Sequence, residues 1–494
     1  MMPHNFFTQN YSLTNGIQTK KTFLPPSTLN ALRKALTVHP FKTWRLKHEI
    51  NSMKDIHIDE DKLYAAIYNG WNKRLTHKLH KVMQGEDVYL DVFGGSNSVG
   101  GALVKDKGEI DGRYTKVLAD WWDKSITPIT GSQLKLREIA IGGTSSEFFQ
   151  FCYASYIHKQ LDLVFIEMAV NDAKRELPGN ANTSLPLEQF TRQILTYRTE
   201  PAIAYINLFI GQTCNNSCSS LEDGGLLLLS KAYNITSLSW RDAVCSEKAG
   251  VDRTNRCSKF IASDGGHISQ IGHAHISLMI IKLLQTILLK HISSVTRVKK
   301  TTRTSDESRG RISRQKIPLP VFIQNERNII SKPLCWTQLS QNITKVLRNN
   351  LNVAVNETNG FYLKTTHFGN CKCAWCRTYA YTSWTGRTVG SNMTFSFTIP
   401  GGDSRKDGSK TRRSIAIALR ALWTYGAANV WLDDDDNHKK FVNAKSRWGR
   451  TIVRMLALRV DPGQHRLHVR IVREGEVSIL GIMIGPNGGP YPSD

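Results

Sequence analysis

The sequence predicts an α/β domain built on a parallel sheet, followed by a second domain that is rich in β-strands. Two observations carry this prediction. From Glu86 onward, short and continuously apolar runs alternate with stretches of helical periodicity, which is typical of parallel strands covered by helices on both faces. After Pro318, short strand-like runs are broken by Gly, Pro, Asp and Asn, which is typical of a β-sandwich or jelly roll.

These patterns divide the 494 residues into four segments. We expect a helical N-terminal region at 1–85, the α/β domain at 86–293, a basic linker at 294–320, and a β-rich, carbohydrate-binding domain at 321–494. The linker is expected because residues 295–316 carry eight Lys or Arg against two acidic residues and almost no apolar ones.

The strands and helices of the α/β domain follow from its hydrophobic pattern. The predicted strands are 88–95, 135–143, 161–170, 202–210 and 235–240. The predicted helices are 146–160, 186–198, 224–234 and 269–292. The apolar part of the last helix contains Lys282 and Lys290, so we expect a buried amphipathic helix and no transmembrane segment.

The charge of the chain indicates an anionic partner. The formal net charge is +24 and the isoelectric point is about 9.7, which favours polyanions such as an acidic polysaccharide. The Lys and Arg residues are spread along the chain, and no zinc-finger spacing or RNP-type aromatic motif is present. Specific nucleic-acid binding is therefore not expected.

Nine cysteines and seven Asn-x-Ser/Thr sequons indicate an oxidising compartment. We therefore expect a secreted protein or one in the secretory-pathway lumen, although the first residues show no signal-peptide pattern. Two disulfides are predicted within the group Cys214, Cys218, Cys245 and Cys257. His367, Cys371, Cys373 and Cys376 could bind zinc, but their spacing is not that of a standard finger, so disulfides are favoured there too.

The stretch "FGGSNS" raises the first chemical hypothesis, because it ends the first predicted strand of the α/β domain. Ligands bind beyond the carboxyl ends of parallel strands, so Ser96 would lie where reactions occur. Gly94 and Gly95 permit a sharp turn. Ser98 stands where the G-x-S-x-G elbow requires glycine, so this is a different serine turn.

Three further stretches supply what a serine nucleophile needs. "DGGHISQIGH" places Asp264 three residues before His267, which could act as base while the aspartate orients its imidazole. "AIGGTSS" ends the second predicted strand and "MAVND" ends the third. We predict an oxyanion hole formed by the backbone N–H groups of Ser96 and Gly143 and the side chain of Asn171.

These four blocks, in this order, resemble those of the SGNH (GDSL-like) hydrolases. The resemblance implies a flavodoxin-like α/β/α sandwich, an acyl-enzyme on Ser96, and no metal or organic cofactor. Gly272 and His273 also match the last block, and His273 and His275 are expected to be structural. Three positions depart from the pattern: Gly95 replaces an aspartate that supports the loop, Ala169 a glycine, and Ile268 a proline.

Three functions are compatible with this pattern. The first is an esterase acting on acyl, in particular acetyl, esters of a small molecule or a glycan. The second is an O-acyltransferase that uses the same triad to acylate sugar hydroxyls. The third is an inactive carbohydrate-binding protein, which the intact Ser96, Asp264 and His267 disfavour.

Two features of the C-terminal region have open interpretations. The run Asp433 to Asp436 could bind calcium, although an acidic surface loop is the simpler reading. The tryptophans Trp384, Trp423 and Trp431 could stack on sugars or belong to the core.

Overall fold

A computed structural model describes most of the chain. The described residues are 23–42, 56–70, 73–101, 103, 112–173, 177, 182–208, 225–244, 260–262, 264–298, 316–339, 348–367, 380–401, 412–487 and 489–491. We call residues 23–298 the α/β part and residues 316–491 the β-rich part. The predicted disulfides among Cys214, Cys218, Cys245 and Cys257, the cysteines between 371 and 376, and linker residues 299–315 lie outside the described residues.

The α/β part is organised around one six-stranded mixed sheet. Its strands are β1 (Ile67–Tyr68), β2 (Val88–Gly94), β3 (Leu134–Ala140), β4 (Leu163–Glu167), β5 (Ala202–Asn207) and β6 (Thr236–Ser239). Their spatial order is β1-β6-β5-β4-β2-β3, with β2 to β6 parallel and β1 antiparallel at one edge. The five parallel strands therefore have the flavodoxin-like order, and the predicted parallel sheet is confirmed for them.

Helices cover both faces of this sheet. They are α1 (Pro26–Leu36), α2 (Glu60–Ala65), α3 (Lys73–Leu79), α4 (Ser96–Val99), α5 (Tyr114–Ser125), α6 (Thr127–Thr130), α7 (Ser146–Cys152), α8 (Ala169–Asp172), α9 (Leu185–Leu195), α10 (Leu226–Tyr233), α11 (Trp240–Val244) and α12 (Gln270–Val298). The third strand is shorter than the predicted 161–170, because it ends at Glu167. The residues of "AVND" form the short helix α8.

Helix α12 fills one face of the sheet. Among the described residues it contains the one segment, 270–295, that is long and apolar enough to cross a membrane, and most of that segment is buried inside the structure. Its residues Ile276, Ile280 and Leu284 are at most 1% exposed and belong to the same hydrophobic cluster as the strands β2 and β4. The predicted buried helix is thus confirmed.

The β-rich part contains two antiparallel sheets that enclose a hydrophobic core. Its strands are β7 (Leu334–Thr337), β8 (Val353–Asn359), β9 (Phe361–His367), β10 (Ala380–Gly386), β11 (Asn392–Ile399), β12 (Arg413–Ala421), β13 (Ala427–Leu432), β14 (Lys440–Asn443), β15 (Arg450–Val460), β16 (Gly463–Arg473) and β17 (Val477–Gly485). One sheet has the order β15-β12-β17-β10-β9, with β7 also paired to β17, and the other β14-β13-β16-β11-β8. Phe395, Ile417 and Val469 are fully buried between the two sheets, as a β-sandwich requires.

The two parts share a core. Phe149 of α7 lies in one hydrophobic cluster with Val453 of β15 and Met483 of β17. A disulfide joins Cys152, at the end of α7, to Cys335 in β7, 183 residues later. The sequence did not predict this pair, because both cysteines stand alone in the chain. The β-rich part is therefore held against the face of the α/β sheet on which α7 lies.

Candidate functional site

The candidate nucleophile Ser96 begins helix α4, directly after strand β2. Among residues 91–100 it is the one that is not fully buried. Both preceding positions require glycine, because a side chain there would clash with neighbouring residues. A Cβ at Gly94 would lie 2.0 Å from Ser98 Oγ, and a Cβ at Gly95 would lie 2.1 Å from Asn171 Nδ2. The small residues therefore allow the turn to pack closely against its neighbours while leaving Ser96 accessible.

Asp264 and His267 form a hydrogen-bonded pair. His267 Nδ1 lies 2.7 Å from Asp264 Oδ2, and Asp264 Oδ1 accepts hydrogen bonds from the backbone N–H groups of Gly266 (3.0 Å) and His267 (3.1 Å). The hydrogen bond with His267 is the main reason that the pKa of Asp264 lies well below its usual range. The aspartate therefore remains ionised, and it can hold Nδ1 in the protonated tautomer that leaves Nε2 as the acceptor.

The structure brings this pair to the Ser96 turn. The backbone N–H of Ile268 donates to Asn97 Oδ1 at 3.0 Å, which links the residue after the candidate base to the residue after the candidate nucleophile. A Cβ placed at Gly101 would lie 3.3 Å from the backbone oxygen of Ser96 and 3.5 Å from His267 Nε2. The unbonded side of the imidazole thus lies beside the serine turn, although the two segments are about 170 residues apart in sequence.

The other predicted oxyanion donors flank the same turn. Asn171, in α8, donates from Nδ2 to the backbone oxygen of Thr144 at 2.7 Å, and the same nitrogen borders Gly95. The backbone N–H of Ile141 donates to the oxygen of Gly94 at 2.9 Å, which places the glycine loop 142–144 next to the serine turn. Asn171, Gly143 and Ser96 are each partly exposed, whereas most of their neighbours are buried.

A buried carboxyl group beneath the turn was missed by the sequence analysis. Glu167, the last residue of β4, is 1% exposed, and its Oε2 accepts hydrogen bonds from Gly95 N–H (3.2 Å) and Ser98 Oγ (2.9 Å). Ser98 Oγ is also 2.7 Å from the hydroxyl of Tyr114. Burial raises the pKa of Glu167 to about 7. The sequence signal for this residue was an acid, Glu167, at the end of the otherwise apolar run "LVFIE".

The glycine loop also contacts the β-rich part, which the sequence did not indicate. Gly143 has φ +69°, and a Cβ there would lie 2.3 Å from the backbone oxygen of Gly449. Arg420 Nη1 donates to the oxygen of Gly142 at 2.8 Å. The backbone N–H of Thr451 donates to the oxygen of Gly143 at 2.9 Å. Residues of β12 and β15 therefore form one wall of the candidate site.

The two other histidines of the last block are core residues, in agreement with their predicted structural role. His273 and His275 are 1% and 2% exposed, and burial lowers their pKa values to about 3 and about 4. Tyr114 N–H donates to His273 Nδ1 at 3.4 Å, and Trp240 Nε1–H lies 3.5 Å from His275 Nδ1.

The acidic run of the β-rich part makes contacts within the protein. Asp433 accepts hydrogen bonds from the backbone N–H of Arg466 (2.8 Å) and from His465 Nδ1 (2.9 Å). Within the described ranges, no group of three or more His, Cys, Asp or Glu side chains is arranged to hold a metal ion.

The tryptophans differ from one another in exposure. Trp423 is 66% exposed, in the turn after β12, and is therefore not a core residue. Trp431 is partly buried and stacks on His468 at 5.1 Å between ring centroids. Trp384 is partly buried against the sandwich core.

Neither a protein-family model nor a curated protein sequence matches the chain. Among solved structures, it is similar to a two-domain esterase (CEX) active on acetylated mannans, co-crystallised with mannopentaose. The TM-score is 0.56 and the identity 17%, over 89% of this chain and 100% of that one. A second structure of such an esterase matches with a TM-score of 0.56 and 18% identity, over 87% and 99% of the two chains. The similarity shows that this chain has the two-part fold of those esterases.

Proposed function

We propose that the protein is a serine ester hydrolase of the SGNH type, with Ser96 as nucleophile, His267 as base and Asp264 as its orienting acid. The observation that carries the proposal is the Asp264–His267 pair beside the serine turn, at the carboxyl edge of the parallel sheet. The two-part fold shared with an esterase supports it.

The proposed reaction proceeds in two steps. His267 Nε2 takes the proton from Ser96 Oγ while that oxygen attacks the ester carbonyl carbon, and the protonated imidazole then gives the proton to the departing alcohol. Water, activated by the same nitrogen, cleaves the acyl-enzyme and restores the serine. Asp264 stabilises the imidazolium in both steps, since it remains a carboxylate.

The oxyanion of each tetrahedral intermediate would be held by the N–H groups of Ser96 and Gly143 and by Asn171 Nδ2. Each such donor is worth about 3 kcal/mol of transition-state stabilisation. The contacts of Asn171 with Thr144 and Gly95 support this grouping, because these two residues adjoin Gly143 and Ser96 in the sequence.

We infer that the substrate is an acetyl ester of a glycan. The similar esterase is described as active on acetylated mannans. Trp448 is 48% exposed and directly precedes Gly449, which contacts Gly143. Trp423 lies on a neighbouring turn, because the backbone N–H of Ser446 donates to the oxygen of Leu422. Exposed indole rings on the segments that adjoin the glycine loop offer stacking surfaces for sugars. The charge of +24 would favour glycans that also carry acidic groups.

We also propose that the protein is secreted or resides in the lumen of the secretory pathway. The disulfide between Cys152 and Cys335 supports an oxidising, secretory location, because such bonds are rare in the cytosol.

The function is tested with the purified protein and its Ser96→Ala variant. We expect the parent to release acetate from p-nitrophenyl acetate and from acetylated mannan, and to be labelled by a fluorophosphonate. The variant should be folded, unlabelled and inactive. A folded parent that neither hydrolyses the ester nor takes the label would contradict the proposal and favour a carbohydrate-binding protein. Acetylated oligosaccharide formed from an added sugar acceptor would instead identify an acyltransferase.

A further inference from the structure

The glycine loop of the candidate site is bonded to the β-rich part at three consecutive residues. Arg420 donates to the oxygen of Gly142, and the backbone N–H of Thr451 donates to the oxygen of Gly143. The hydroxyl groups of Thr144 and Thr451 are 2.9 Å apart. Both partner residues belong to neighbouring strands, β12 and β15, that pair with each other.

The bond from Arg420 determines the direction of a backbone donor. A trans peptide unit is planar, and its C=O and N–H groups point in opposite directions. No cis peptide bond occurs in the described residues. Because the oxygen of Gly142 is held by Arg420, the N–H of Gly143 in the same peptide unit points away from Arg420. Within the α/β part, the loop contacts the serine turn through the N–H of Ile141, and it contacts Asn171 through the oxygen of Thr144.

This peptide needs an external restraint. It joins two glycines, and glycine populates positive and negative φ with similar ease, so the unit can rotate at little cost in isolation. Gly143 is in the left-handed region at φ +69°. Arg420 is suited to fix it, since it is 5% exposed and its guanidinium lies 5.3 Å from the ring centroid of Tyr381. A buried, planar and charged donor holds a carbonyl oxygen with little freedom.

We propose that Arg420 is a positioning residue of the oxyanion hole: it orients the Gly143 N–H toward the reacting carbonyl and so makes turnover in the α/β part depend on the β-rich part. This inference rests on the proposed esterase function. Arg420 acts through the Gly142–Gly143 peptide and does not touch the substrate. Its loss should therefore affect the stabilisation of the transition state more than the binding of the ester.

The test compares Arg420→Ala and Arg420→Lys in the full chain, with p-nitrophenyl acetate as substrate so that glycan binding does not enter. Active sites are counted by fluorophosphonate labelling, and folding is followed by thermal melts. We expect Arg420→Ala to lower kcat per labelled site about 10- to 100-fold with KM nearly unchanged, which is less than the roughly 10²- to 10³-fold cost of losing an oxyanion donor, because the Gly143 N–H is freed to rotate and not removed. The kcat of Arg420→Lys should lie between those of Arg420→Ala and the parent, because an ammonium group can still donate to the Gly142 oxygen.

Two controls make the outcome decisive. Arg466→Ala, at an exposed position of β16, removes the same charge from the β-rich part and should leave kcat unchanged. Ser96→Ala should abolish activity. If it does not, the proposed function is wrong, regardless of the results for the Arg420 variants. If Ser96→Ala is inactive but Arg420→Ala keeps the parental kcat, or changes KM alone, the positioning role is wrong. Should Arg420→Ala not fold, the Lys variant decides: a lowered kcat at constant KM supports the role, and a parental kcat overturns it.

Discussion

The carboxyl group of Glu167 gives the structure a pH-dependent stability that one substitution should remove. Glu167 is 1% exposed, and its Oε2 accepts hydrogen bonds from Gly95 and Ser98 beneath the candidate nucleophile. Burial raises its pKa from 4.5 to about 7 in the folded protein. In Glu167→Gln the side chain keeps its shape and an acceptor oxygen for these two donors but no longer titrates.

The sign and size of the effect follow from this shift. An acid whose pKa is higher in the folded state binds more protons there than in the unfolded chain, so the folded state loses stability as pH rises from about 4.5 to about 7. At ~1.4 kcal/mol per pKa unit the complete loss is ~3 kcal/mol. Most of it, ~2.5 kcal/mol, falls between pH 5 and pH 8.

The assay is urea unfolding of the parent and Glu167→Gln at pH 5, 6, 7 and 8. Groups common to both proteins, including the buried His273 and His275, cancel in the difference between the two. We expect the parent to lose ~2.5 kcal/mol relative to the variant between pH 5 and pH 8. Parallel pH profiles would show that Glu167 is ionised in the folded protein at pH 5, and the argument from burial would then be wrong.

Three further changes have defined outcomes. Asp264→Asn should lower kcat for p-nitrophenyl acetate about 10²- to 10⁴-fold, because the amide cannot stabilise the imidazolium; an active variant would remove Asp264 from the triad. Gly95→Asp, which places an acid before the serine as in the SGNH pattern, should lower kcat at least ~10-fold, because its Cβ would displace Asn171 Nδ2, a proposed oxyanion donor; Gly401→Asp, at an exposed position after β11, is the matched control. The double substitution Cys152→Ser/Cys335→Ser should lower the free energy of unfolding by ~2–5 kcal/mol, and unchanged urea midpoints would mean that the bond does not stabilise the fold.

The predicted elements that the structure confirms are those with a strong local signal. The five parallel strands read as continuous apolar runs because helices cover both faces of their sheet. The segments holding Ser96, Gly143 and Asn171 were each expected at the end of a strand, and they lie just after β2, β3 and β4. Such placements depend on chain topology, which periodicity reveals.

The features that the sequence did not reveal depend on how distant segments pack. Strand β1 has only two residues, and it is a strand because it pairs with β6. Cys152 and Cys335 have no neighbouring cysteine, so spacing gave no reason to pair them. Arg420 is one of many basic residues, and its contact with the glycine loop is visible only in the folded structure.

Two of the three positions that depart from the SGNH pattern make contacts that support the proposed function. Gly95 takes the place of an acid, and the space of that side chain is occupied by Asn171 Nδ2. A carboxyl group still contacts the turn, but it comes from Glu167 on the neighbouring strand. Ile268 takes the place of a proline, and its N–H, which proline lacks, donates to Asn97 and links the segments of Ser96 and His267. Random decay removes contacts without replacing them, whereas two of these three departures come with a compensating contact. These contacts favour the proposed esterase over an inactive carbohydrate-binding protein.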